Sequence, residues 1–139
     1  MTPRQVALVQ ASWDKIRSTD AAQDAAELFY ARLFGLDPSI EPMFKGDMKD
    51  QARRLAAMVT FAVNGLTRVE AITPGLQALG QRHAGLGVKE KHYETVGEAL
   101  LWTLGKGLGP DFTGEVKEAW AIAYSVLAAA MRATALQAA

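Results

Sequence analysis

The chain has 139 residues, of which half are hydrophobic; fifteen basic side chains balance fifteen acidic ones, and cysteine is absent. That length suits one domain over residues 1–139, able to bury roughly two-thirds of its unfolded surface. The even charge gives no basic footprint for nucleic acid, and the missing cysteines exclude disulfides, thiolate metal sites and a cysteine nucleophile.

Thr2-Pro3-Arg4-Gln5 forms a capping box with proline at the first helical position, and Val6, Val9, Trp13 and Ile16 follow on one face. Asp20 to Gln23 repeats the capping pattern before a stripe of Ala22, Ala26, Phe29 and Leu33. Asp37-Pro38 ends this second helix, because the residue before a proline avoids helical geometry. A short connection, SIEPMFKGD, leads to a long amphipathic helix beginning near Gln51. Its apolar face takes Leu55, Met58 or Val59, Ala62, Leu66 and Val69. Pro74 is predicted to start a shorter helix that runs to about His83 and is broken by Gly85 and Gly87. Lys89 to Leu108 reads as another helix, closed by glycines 105, 107 and 109 with Pro110. Thr113 caps the last one, whose inner face includes Val116, Trp120, Ala123, Tyr124, Leu127 and Met131. Strand signals are nearly absent. The pattern predicts an all-α domain whose helices are too unequal for a simple four-helix bundle.

The N-terminal MTPRQVALVQ lacks the basic start and long apolar core of a signal peptide. The apolar run AWAIAYSVLAAAM at 119–131 is shorter than the ~20 residues that a membrane span needs. A cytoplasmic monomer or small homo-oligomer, with neither membrane nor nucleic acid as partner, is therefore expected.

Few motifs carry chemistry. HExxH and Gly-x-Ser-x-Gly are missing, and GKGLGP at 105–110 has neither the spacing nor the preceding strand of a phosphate loop. The two histidines, His83 and His92, stand nine residues apart across a helix break, which suits no zinc site. His83 lies in LGQRHAGLGV, residues 79–88, and two readings are open for it. A histidine at a helix end can simply complement the carbonyl end of the helix dipole. It can also be the axial ligand of a heme iron, a metal site that one neutral imidazole holds, set between one helix above the plate and one below.

The ordering WDKI, LFYARLF, DP, MF, Q-x-x-x-L, LGQRH, Y-x-x-VG-x-x-L and AWAIAY resembles a globin across residues 3–131. Among globins it is most similar to bacterial single-domain globins and to the heme domain of flavohemoglobins. The resemblance implies a globin fold with unequal helices around a heme b pocket, and His83 as the proximal iron ligand. It implies a distal pocket of Tyr30, Gln51 and Leu55, with Phe44 wedging the heme at the corner after Pro38. Gln51 and Leu55 are four apart, so they share a helix face. Arg54 and Arg82 are candidates for the heme propionates, or are plain surface arginines. Met58, Leu79, Val88, Tyr93 and Val96 would line the heme. His92 falls where the family places a variable surface residue, so a solvated side chain is expected, while Trp13 and Trp120 are expected in the core.

The implied ligands are O₂, NO and CO. Reversible O₂ binding for transport and NO dioxygenation with a separate reductase share one pocket, so the residues do not choose between them. A heme-free helical sensor is disfavoured, because His83, Phe44 and Tyr30 all survive. Two departures from flavohemoglobins stand out. No flavin- or nicotinamide-binding part accompanies these residues, and the glutamate that would back the proximal histidine is replaced by Ala135.

Overall fold

The computed structural model describes the backbone of residues 1–17, 21–44, 46–85 and 89–138, and the side chains of these except 21, 83–85, 90 and 132–138. All regular structure among the described residues is helical. Capping decides where several helices begin. Thr2 and Gln5 satisfy each other's backbone N–H at 2.9 and 3.1 Å and launch α1, Pro3–Arg17. The expected cap at Asp20 lies outside the described residues; the second helix, α2, spans Ala21–Leu36.

Asp37 ends that helix and opens a 3₁₀ turn, Pro38–Met43, by accepting the Ser39 N–H at 3.0 Å. Asp47 does the same for α3, Met48–Asn64, through the Lys49 N–H at 2.8 Å. That start is three residues ahead of Gln51, because the aspartate cap, and not the apolar stripe, sets the first turn. A 3₁₀ turn over Gly65–Thr67 follows, so Leu66 and Val69 are not part of α3. The next two helices are α4, Val69–Gly85, and α5, Glu90–Leu108. After a 3₁₀ turn at Gly109–Asp111, Thr113 accepts the Val116 N–H at 3.2 Å and starts α6, Gly114–Ala138.

Pro74 does not start α4 but sits inside it. A proline this near a helix start forfeits only one intrahelical bond, and the Thr73 hydroxyl donates to the Val69 carbonyl at 2.8 Å beside it. No helix among the described residues is long and apolar enough to cross a membrane.

Two apolar clusters hold the helices. In the first, Val9, Trp13 and Ile16 of α1 meet Val63, Leu104 and Trp120. The two tryptophans pack edge to face, centroids 6.3 Å apart, and their indole N–H groups donate to Thr60 and Ser12 at 2.9 and 2.8 Å. The second cluster joins α2, the Pro38–Met43 turn, α3 and α5 through Phe29, Tyr30, Leu33, Ile40, Ala52 and Ala99. These clusters leave a hollow between α3 and α4.

Candidate functional site

The hollow is a cavity of 790 Å³, in the size class of small-molecule and cofactor sites. Helical spacing builds its walls. On α3, Gln51, Leu55 and Met58 follow at i, i+4 and i+7 and all reach the cavity. On α4, Leu76 and Leu79 reach it from the other side, and the same stripe continues to position 83. Tyr30 closes the α2 side, Val96 and Leu100 the α5 side, and Leu127 and Met131 the α6 side.

Two sets of polar groups stand out. Gln51 and Tyr30 form the first, on the α3 and α2 side. The Tyr30 ring is held by Phe29, Phe34 and Phe44, with centroids 5.3, 5.9 and 5.2 Å away. Burial pushes its hydroxyl up to about 12, because a phenolate would lose its hydration there. The group is therefore a neutral phenol, able to donate a hydrogen bond at physiological pH. Arg54 and Arg82 make the second set: both are exposed, yet both line the cavity. Their place is the rim. Neighbouring Arg53 instead pairs with Asp50 at 3.2 Å on the outer face of α3.

Ten of the residues that the sequence assigns to a heme pocket thus come together on one cavity: Tyr30, Phe44, Gln51, Arg54, Leu55, Met58, Leu79, Arg82, Tyr93 and Val96. His83 belongs to α4 on the cavity stripe, but its side chain lies outside the described ones, as do Val88 and the Ala135 side chain. A flat apolar ring system with two carboxylates at one edge fits what is described. Apolar stripes would cover its faces, and two arginines stand at the rim. Among the described residues there is no cluster of three His, Asp or Glu able to hold a bare metal ion.

His92 corrects one expectation. It is not solvated but 4 % exposed, and it lines the cavity. Its Nδ1 accepts the Lys89 N–H at 2.8 Å, which leaves the proton of the neutral ring on Nε2, 4.0 Å from an Asp37 carboxylate oxygen. The Asp37 carboxyl is itself held below the usual range, first by the Ser39 hydroxyl bonded to it. His92 therefore caps the start of α5 and faces the corner after α2. A local signal existed: a side-chain acceptor three residues past a helix start can take an N–H there.

Tyr124, on the inner face of the last helix, belongs to the site as well. It lines the cavity, its ring lies against Gly97, where a Cβ would come within 3.0 Å, and its hydroxyl donates to the Tyr93 carbonyl at 2.5 Å. It thereby fixes the backbone of Tyr93 against α6. Only the pairing of α5 with α6 reveals this.

The chain is similar to known proteins. A family model described as Globin matches residues 27–131. A neuroglobin of Tetraodon nigroviridis is 28% identical over 138 residues, covering 89% of this chain and 86% of that protein. A neuroglobin of Danio rerio is 26% identical over 145 residues, covering 94% and 90%. Among solved structures, a hexacoordinated heme protein from an anhydrobiotic tardigrade superposes with a TM-score of 0.86 at 18% identity, over 96% of this chain and 94% of that one. At that identity the likeness is one of fold.

Proposed function

We propose that this chain, which belongs to the globin family, holds heme b between α3 and α4 and binds diatomic gases there reversibly, O₂ first among them. One observation carries this reading. Two facing helices turn apolar stripes to a single 790 Å³ cavity, with a buried neutral phenol at one side and position 83 at the other.

Bound heme would supply an iron centre that needs only one imidazole from the protein and keeps a position open for gas. The chain's own residues do the rest. His83 provides the imidazole, and the rim arginines, Arg54 and Arg82, pair with the propionate carboxylates. Leu55, Met58, Leu79 and Val96 exclude water, and Phe44 packs against the ring edge. Tyr30 keeps its proton and donates it as a hydrogen bond to a polarised diatomic ligand, while Gln51 is a second donor on the same side. Tyr93 would add to the lining on the α5 side.

The tardigrade protein is described as hexacoordinated. This chain has two histidines in all, one taken by the proximal role. His92, the other, is held on α5 by the Lys89 N–H, whereas Tyr30 and Gln51 stand on the distal wall. An internal imidazole would therefore not compete with gas on that wall. Nitric oxide dioxygenation would use the same Tyr30–Gln51 pair and electrons from a separate reductase.

An absorption spectrum of the purified, heme-reconstituted protein tests the reading. A Soret band with the broad visible band of five-coordinate ferrous heme is expected. A spectrum no different from that of free heme would overturn heme binding, and sharp split visible bands would overturn a free gas-binding position.

A further inference from the structure

Gly80 is buried where α4 crosses α6. A Cβ placed on it would stand 2.4 Å from the Met131 carbonyl oxygen and 3.0 Å from the Met131 Cα. Both are backbone atoms, so no side-chain rotation relieves the clash; the helices themselves must part. Gly75, on the same helix, is different. A Cβ there would meet only the Phe61 ring, at an ordinary 3.6 Å.

Position 80 is one turn before position 83, about 4.5 Å along the same rigid rod. Whatever moves the α4 backbone at the crossing moves residue 83 with it. Bringing a Cβ from 2.4 Å to an ordinary contact takes a shift of about 1 Å, and a metal or binding site tolerates roughly half of that. Met131 lines the cavity as well, so the crossing lies at the site's own edge.

We propose that Gly80 is a positioning residue for the iron ligand: its bare backbone lets α4 rest on the Met131 carbonyl and so fixes where His83 stands across from α3. The inference rests on the heme reading above. The absence of a side chain at residue 80 is thus part of the site, although Gly80 touches no ligand.

The test compares heme-loaded Gly80→Ala and Gly75→Ala proteins, and repeats Gly80→Ala in a His83→Gly background supplied with free imidazole. Gly80→Ala is expected to shift the iron–histidine stretching frequency of the ferrous protein and to speed heme loss to a scavenger protein by about tenfold or more. Gly75→Ala should do neither. With free imidazole as ligand the frequency should no longer respond to residue 80, because that ligand is not tethered to α4. An unchanged frequency in Gly80→Ala, or a shift that persists with free imidazole, overturns the proposal. Should Gly80→Ala alone retain no heme, recovery of heme in the His83→Gly background with imidazole supports the tether, and failure to recover it overturns it. A His83→Gly protein that keeps heme without imidazole sinks the ligand assignment itself, and the proposal with it.

Discussion

Replacing Tyr30 with phenylalanine isolates one hydrogen bond. The ring is 8 % exposed and wedged among Phe29, Phe34 and Phe44, so phenylalanine keeps its volume and its contacts. Only the hydroxyl goes. Because burial raises the phenol to about 12, the donor is fully protonated at neutral pH and the change removes a complete hydrogen bond. A bond from a neutral donor to a partly charged acceptor contributes about 1.5–3 kcal/mol, equivalent to about 10- to 150-fold in an equilibrium constant. Most of that difference should fall on dissociation, since gas entry does not require the bond. Stopped-flow replacement of O₂ by CO should therefore show O₂ leaving the Tyr30→Phe protein at least about tenfold faster than the parent. CO carries less negative charge and should respond far less. Equal acceleration of both gases would mean that the substitution acts through shape, and the hydrogen-bond account would be refuted.

His83→Gly should abolish tight heme binding, and added imidazole should restore it, as read from the Soret band. By contrast, His92→Ala should leave the Soret position unchanged but lower thermal stability by roughly 1–3 kcal/mol, because the Lys89 N–H loses its acceptor. Tyr30 also predicts an alkaline signature that needs no heme. Its folded value of about 12 lies above the ordinary value of about 10, so its contribution to stability is complete below about pH 10 and lost as pH rises towards 12. In urea unfolding of the apoproteins, the parent should lose about 2–3 kcal/mol relative to Tyr30→Phe across that window; parallel curves would contradict the burial argument. Heme should raise the unfolding free energy by about 2.7 kcal/mol once its free concentration reaches about a hundred times the dissociation constant. A melting temperature indifferent to heme would count against the cavity as its site.

Local chemistry made most of the fold legible. Thr2–Gln5, Asp37-Pro38 and Thr113 mark helix boundaries through bonds made within a few residues, and the 3.6-residue stripes name the inner faces without reference to a partner. Gln51 and Leu55 fell on one wall for the same reason. Sequence was less informative wherever a residue's fate depends on a distant one. Pro74 reads as a helix start, yet Val69 begins the turn ahead of it, where one missing bond is tolerable. His92 reads as a surface residue until α5 is seated against the corner at Asp37. The role of Gly80 becomes visible only when the Met131 carbonyl lies beneath it.

The cavity and the marginal stability of such a chain are best considered together. A domain of this length has a net stability of roughly 5–15 kcal/mol. Water filling the 790 Å³ cavity would leave its mostly apolar lining unburied, a cost that matters against so small a net stability. The hydrophobic stripes on α3 and α4 therefore need a bulky, largely apolar occupant or must close on each other. Trp13, Trp120 and Leu104 pack α1, α5 and α6 together, and Phe29 and Leu33 pack α2 against its neighbours, while all five also line the cavity. By contrast, α4 rests mainly on α6, with its other face towards the cavity. The element that carries His83 is thus the one whose packing depends most on what fills the site. A backbone contact as close as Gly80 on Met131 gives that helix one defined seat beside the cavity.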